Sequence, residues 1–241
     1  YSIATVLAQP FLRRKLKRRG ADEPGYLQAV PERFGTYDVR TRKAAGMARQ
    51  GPLVWVHAVS LGETRAAAPL IKRLRRSLPG MRLLLTHGTA TGRAEGKQLL
   101  EAGDMQVWQP WDTPAATRAF VAQFKPDVGV LMETEVWPNL MAACDAAEVP
   151  VVLVNARMSE ASFIKARRFK WLARPAYEAL TAALPQTDED AERLKALGAP
   201  VRAVLGNLKY DADPDPGLLA AGERLKAQQR DTGRKPIVLF A

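Results

Sequence analysis

The sequence predicts an α/β fold: a parallel β-sheet with helices on both faces. Two observations carry that prediction. From residue 53 onward, short apolar runs alternate with longer amphipathic stretches, the pattern of parallel strands joined by right-handed helical crossovers. The short runs are rich in Leu and Val, which fits strands buried on both faces of a sheet. The first strand is read at 53–59, where an unbroken apolar run stops at Ser60 and Gly62. Strands follow at 81–86, 105–108, 128–132, 151–155, 182–185 and 201–205. Helical periodicity fills the intervals at 64–78, 92–102, 114–124, 138–147, 163–179 and 188–197. The Asp-, Pro- and Gly-rich run 211–217 reads as a linker. One helix, 218–230, and one strand, 237–240, come after it and read as the opening of a second α/β domain. The expected division is therefore a membrane-proximal basic segment at 1–35, a Rossmann-like domain at 36–212, and a linker with the start of a second, truncated domain at 213–241. A chain cut inside that domain is not expected to be active alone.

Composition narrows the function. In 241 residues, 47% are apolar, enough for a sizeable core, and the 7% aromatic share leaves aliphatic side chains to fill most of it. A net charge of +11 implies an anionic partner: nucleic acid, phosphorylated lipid or a membrane surface. One cysteine, Cys144, excludes an internal disulfide and any multi-cysteine metal site. The two histidines, His57 and His87, lie on or beside different strands without a ligand partner at helical spacing, so both read as structural and no metal or cofactor is expected. The mildly apolar run 1–12 is shorter than the ~20 residues that span a bilayer. It precedes the dense basic run Arg13-Arg14-Lys15-Leu16-Lys17-Arg18-Arg19. Together they read either as the tail of a longer anchor on the cytoplasmic side or as a solvated basic helix end.

Four loops carry candidate chemistry. Ser60-Leu61-Gly62-Glu63 stands between a strand and a helix, where an α/β fold places its ligands. Glu63 there suits a general base that takes a proton from a substrate hydroxyl, with Gly62 letting a ligand approach the backbone. The same spacing satisfies a capping box, in which Glu63 bonds the backbone N–H of Ser60. Met132-Glu133-Thr134-Glu135 follows a wholly apolar strand. Persisting strand geometry would put Glu133 and Glu135 on one face, as paired carboxylates or as an acidic helix start before Pro138. Asn155-Ala156-Arg157 ends a further strand with an arginine suited to bidentate recognition of carboxylate or phosphate, or to a surface ion pair. Lys209, in Gly206-Asn207-Leu208-Lys209-Tyr210-Asp211, is placed to face a cleft between domains and offset charge on a transferring group. The loop His87-Gly88-Thr89-Ala90-Thr91-Gly92 lacks both the P-loop lysine and the third glycine of a dinucleotide fingerprint, and reads as a plain turn. Between 163 and 174, basic residues alternate with Phe163, Phe169 and Trp171. That pattern suits nucleic acid, a phospholipid surface or a solvated helix face.

In order and spacing these segments, with Arg33-Phe34-Gly35 and Trp55-Val56-His57-Ala58-Val59, resemble the 3-deoxy-D-manno-octulosonic acid (Kdo) transferases of lipopolysaccharide synthesis. The resemblance covers almost the whole chain. It implies the N-terminal half of a GT-B glycosyltransferase that moves Kdo from CMP-Kdo to a lipid A precursor, lipid IVA, at the cytoplasmic face of the inner membrane. It further implies Glu63 as the base, Glu133 and Lys209 as transition-state stabilisers, and an acceptor site including Ser60, Gly62 and Arg157. An anionic membrane surface is then the expected partner and nucleic acid is not. The competing readings are a GT-B enzyme of different donor specificity and a non-catalytic basic α/β module that binds nucleic acid.

Overall fold

The structure, a computed structural model, describes residues 1–211 and 216–231. Six strands form one parallel sheet: β1 (Leu53–His57), β2 (Arg82–His87), β3 (Met105–Trp108), β4 (Val128–Met132), β5 (Val151–Ala156) and β6 (Ala182–Pro185). Their order is β3-β2-β1-β4-β5-β6, the doubly wound order of a Rossmann fold, with its switch point between β1 and β4. Every residue of β1 and β2 is buried. Alternate residues feed two cores: Leu53 and Trp55 join Phe120, Leu131 and Leu153 on one face. Val54 and Val56 join Ala67, Ile71 and Leu83 on the other. The unbroken apolar composition of these strands thus follows from burial on both faces.

The helices in chain order are α1 (Ser2–Leu7), α2 (Gln9–Asp22), α3 (Val39–Ala45), α4 (Leu61–Ser77), α5 (Ala90–Gly96), α6 (Pro114–Phe124), α7 (Pro138–Ala146), α8 (Glu160–Arg168), α9 (Lys170–Glu178), α10 (Asp188–Ala196) and α11 (Pro216–Asp231). Most crossover helices start on a side-chain cap at a strand's carboxyl end. Ser60, Thr89, Thr113, Ser159 and Thr187 each accept a backbone N–H three residues on, satisfying a donor that the helix itself cannot. Pro114 and Pro138 open α6 and α7, where a missing N–H costs nothing.

Three elements differ from the sequence reading. The helix expected at 92–102 ends at Gly96, and a 3₁₀ turn, Lys97–Leu99, follows it before Leu100 becomes extended. No seventh strand forms at 201–205. Val201 makes a single bridge to Ala183, after which Arg202 N–H donates to the Ala183 carbonyl at 3.1 Å and Leu205 N–H to the Pro185 carbonyl at 3.1 Å. Three residues on one side thus oppose two on the other, a slip that breaks a regular ladder. The single helix expected at 163–179 is two helices, broken at Phe169, whose φ of −111° and ψ of 41° are not helical. The break lets α9 bury Ala176 and Tyr177 while α8 buries no residue. The strand expected at 237–240 lies outside the described residues.

The N-terminal segment docks on the sheet's carboxyl side. Tyr1 Oη donates to Asp112 Oδ2 at 2.7 Å, Leu16 is buried, and the Arg13 guanidinium lies 3.5 Å from the Phe34 ring centroid. Ile3, Leu7 and Phe11 stay exposed, at 77%, 75% and 70%, and their spacing of four places them along one helical stripe. No helix of the described residues is long and apolar enough to cross a membrane.

Candidate active site at the switch point

The turn after β1 and the turn after β4 meet at the switch point. The first holds Glu63 by its own backbone. Glu63 Oε2 accepts the Val59 N–H at 2.8 Å, and Oε1 accepts the Ser60 hydroxyl at 2.9 Å. Ser60 Oγ in turn accepts the Glu63 N–H at 3.3 Å. The reciprocal cap is therefore present, but the carboxylate reaches Val59, one residue before the Ser60 N–H of a standard capping box. Burial raises the Glu63 pKa from its ordinary value. The Val59 and Ser60 hydrogen bonds oppose this, and the charge of Glu135 adds to it. A Cβ on Gly62 would meet only Ser60 Oγ, at 4.0 Å, so the space beside Gly62 is open.

The second turn separates its two glutamates. Glu133 adopts a left-handed φ of 57°, which ends the strand alternation; Glu133 and Glu135 therefore do not share a face. Glu133 turns toward β5: its carbonyl accepts the Arg157 N–H at 3.2 Å, and its carboxylate lies 3.6 Å from Arg157 Nη1. Glu135 turns toward β1. Its Oε2 lies 3.7 Å from His57 Nε2, longer than a hydrogen bond, and accepts the Trp137 indole N–H at 2.8 Å. Burial alone would raise the Glu135 pKa, but His57, Trp137 and Thr134 outweigh it and hold the group below its ordinary value. Two neighbouring carboxylates thus have pKa values displaced in opposite directions, the arrangement that separates a proton acceptor from a permanent charge.

Lys209 rides on a separate turn, Leu208–Asp211, at the same edge. Leu208 N–H donates to Asn155 Oδ1 at 3.1 Å, Leu208 packs against the core on the α4 side, and Lys209 itself is exposed. Glu63, Glu133 and Lys209 therefore stand at the carboxyl ends of β1, β4 and β5–β6. The direct neighbours are Glu63 with Ser60, Glu135 with His57, and Glu133 with Arg157. Residue reasoning passed over the pairing of His57 with Glu135. The signal for it is the register His57↔Leu131, which puts the last residue of β1 beside the turn after β4 and follows only from strand order.

A cavity of about 360 Å³ opens beside Glu135 beneath α1 and α2, lined in part by Leu12, Arg33, His57, Trp111 and Trp137. Arg33 is buried, its guanidinium lying 3.8 Å from the Trp108 ring centroid and donating to the Gly88 carbonyl at 3.1 Å. Burial pulls its pKa down to about 10. The small-residue loop after β2 is a structural turn: the N–H groups of Gly88 and Thr89 both donate to the Val59 carbonyl, at 3.1 and 3.0 Å. Cys144 is buried, and burial pushes its thiol up to about 12. Among the described residues no group of three or more His, Cys, Asp or Glu side chains is arranged to hold a metal ion.

Residues 28–212 match the family model described as 3-deoxy-D-manno-octulosonic-acid transferase (Kdo transferase). The chain belongs to the Kdo transferase family. It is 47% identical over 222 residues to the 3-deoxy-D-manno-octulosonic acid transferase of Bordetella pertussis, covering 87% of this chain and 48% of that protein. The enzyme of the same name from Haemophilus influenzae is 28% identical over 228 residues, covering 94% and 52%. The chain thus spans about half the length of the curated Kdo transferases it matches. A solved UDP-GlcNAc 2-epimerase from Neisseria meningitidis aligns at 19% identity with a TM-score of 0.47, over 72% of this chain and 50% of that one.

His87 supplies a prediction about the frame of the site. Its Nδ1–H donates to the Ala58 carbonyl at 2.9 Å, and Nε2 accepts from the Gln106 amide at 3.0 Å. Protonation would set an N–H against that amide N–H. Burial lowers the His87 pKa from 6.5 to about 3. Between those values the unfolded chain binds a proton that the native chain does not. This group's stabilisation is therefore complete above pH 6.5 and is lost on acidification, by about 1.4 kcal/mol per pH unit. Nitrogen-15 NMR at pH 5 should show His87 neutral; a protonated imidazole there would contradict the assignment.

Proposed function

We propose that this chain is the acceptor-binding half of a GT-B glycosyltransferase that moves Kdo from CMP-Kdo to a lipid A precursor, lipid IVA. The observation that carries the reading is Glu63: a carboxylate of raised pKa, held by Val59 N–H and Ser60, with open space beside Gly62, at the switch point of a Rossmann sheet. A sugar hydroxyl is a poor nucleophile, and Glu63 takes its proton as the oxygen attacks the anomeric carbon of Kdo. CMP leaves as the glycosidic bond forms, with oxocarbenium character on the sugar and negative charge on the phosphate. Lys209 offsets that negative charge. Glu133, steadied by Arg157, orients the donor or offsets the positive charge. Ser60, Gly62 and Arg157 contribute to acceptor binding.

The same reading places the protein on the cytoplasmic face of the inner membrane. The stripe Ile3, Leu7 and Phe11 with exposed Arg14, Lys15, Lys17 and Arg18 suits an anionic bilayer, each basic residue adding about 1 kcal/mol near such a surface. The test is CMP release by the full-length protein given CMP-Kdo and lipid IVA, with Kdo found on the lipid by mass spectrometry. Transfer from another activated sugar, with none from CMP-Kdo, would replace the donor assignment and keep the GT-B class.

A further inference from the structure

Ile164, Phe169 and Trp171 are exposed by 60%, 44% and 70%, and neither Ile164 nor Trp171 belongs to the site above. They sit on the elbow where α8 ends and α9 begins. Between residues 160 and 174 the chain carries five cations, Lys165, Arg167, Arg168, Lys170 and Arg174, against one acid, Glu160. Arg174 is taken up by Glu178 at 2.6 Å. The Arg167 and Arg168 guanidiniums lie 5.6 and 5.9 Å from the Phe163 and Phe169 ring centroids, so their charge stays at the surface beside aromatic rings. α8 packs on the core only through the half-buried Phe163 and Ala166 and leaves its remaining residues exposed.

We propose that the α8–α9 elbow is a membrane contact separate from the N-terminal helices, laying Ile164, Phe169 and Trp171 into the interface of an anionic phospholipid bilayer while Lys165, Arg167, Arg168 and Lys170 meet its headgroups. Charge complementarity names the partner: a concentrated positive field with exposed apolar side chains inside it. Exposed tryptophan at the rim of such a field suits the headgroup boundary, where an amphipathic ring is best solvated. The elbow also adjoins the start of the N-terminal segment. Trp171 lines one cleft with Tyr1 and Ser2, and Phe169 and Lys165 line another with Glu135 and Trp137 at the rim of the candidate site. Nucleic acid would use the cations and the flat rings, but it offers no place for the aliphatic Ile164. The purpose of the contact rests on the reading of a lipid acceptor: it holds the switch-point cleft against the surface from which that acceptor is drawn. The contact itself is measurable without it.

The experiment uses full-length protein and vesicles of phosphatidylcholine with or without phosphatidylglycerol. The double variant Ile164→Ser, Trp171→Ser is compared with the quadruple variant Lys165→Gln, Arg167→Gln, Arg168→Gln, Lys170→Gln. These side chains are exposed, so both variants should melt with the parent. Partition onto phosphatidylglycerol vesicles should fall about tenfold or more in each, as expected for removing large apolar side chains from the interface or several cations from an anionic surface. Bromine-labelled lipid should quench parent fluorescence more than that of Trp171→Phe. Parent-like partition and quenching by the variants would overturn the proposal. So would unchanged vesicle binding with lost binding to a single-stranded RNA probe, which would give the elbow to nucleic acid. Reduced partition in a protein that transfers no Kdo would uphold the contact while removing the functional reading. Normal transfer with unchanged partition would do the reverse.

Discussion

Replacing Glu63 with glutamine in the full-length enzyme is expected to lower Kdo transfer by roughly 10²–10⁴-fold, the range for loss of general-base help, while the melting temperature barely moves. The two effects separate because the side chain holds two kinds of bond. The amide oxygen of glutamine still accepts the Val59 N–H that Glu63 Oε2 accepts at 2.8 Å, and the Ser60 hydroxyl, now donating to Glu63 Oε1, can rotate to accept from the new amide. The cap survives, but the amide cannot carry the proton. The pH profile checks the same point. Burial raises the Glu63 pKa, so the acid limb of kcat/KM should lie higher than an unperturbed glutamate would put it, with activity lost as pH falls through it; Glu63→Gln should lack that limb. Ser60→Ala should cost about 1 kcal/mol of stability and keep most turnover. Near-normal transfer by Glu63→Gln would reduce the carboxylate to a structural cap.

The largest expected loss of stability is at Trp55. Its indole is wholly buried, packs edge-on to Phe120 with ring centroids 5.0 Å apart, and donates to Thr86 Oγ1 at 2.8 Å. Trp55→Ala should cost about 3–5 kcal/mol, read as a fall in the urea midpoint. Gly129, its register partner on β4, lacks a side chain because a Cβ there would stand 2.7 Å from Trp55 Cε3. Gly129→Ala alone should cost about 1–3 kcal/mol by overpacking, and measurably less in the Trp55→Ala background, where the clashing ring is gone. Additive losses would show that the two positions do not share this contact.

Six strands and the helices between them were legible because each depends on neighbours in the chain. An apolar run such as 81–86 can be satisfied only in a sheet covered on both sides, and the Ser or Thr before a helix meets a donor three residues on. The placement of Glu63 in the fold was legible for the same reason: strand, small turn and helix are consecutive. The helix read at 163–179 failed because periodicity carries past Phe169, whereas the docking of α9 turns the chain there. The run 201–205 failed because apolar composition does not report a slip of three residues against two.

The sequence alone therefore determined the class of fold, its family and the positions of the charged turns. Tertiary structure decided which of those turns meet. The order β3-β2-β1-β4-β5-β6 sets β1 beside β4, bringing His57 to Glu135 across 78 residues, and the left-handed φ of Glu133 sends that carboxylate toward Arg157. Neither outcome is written in local periodicity, because strand order is settled by the packing of the whole sheet and a single backbone angle reverses the direction of a side chain.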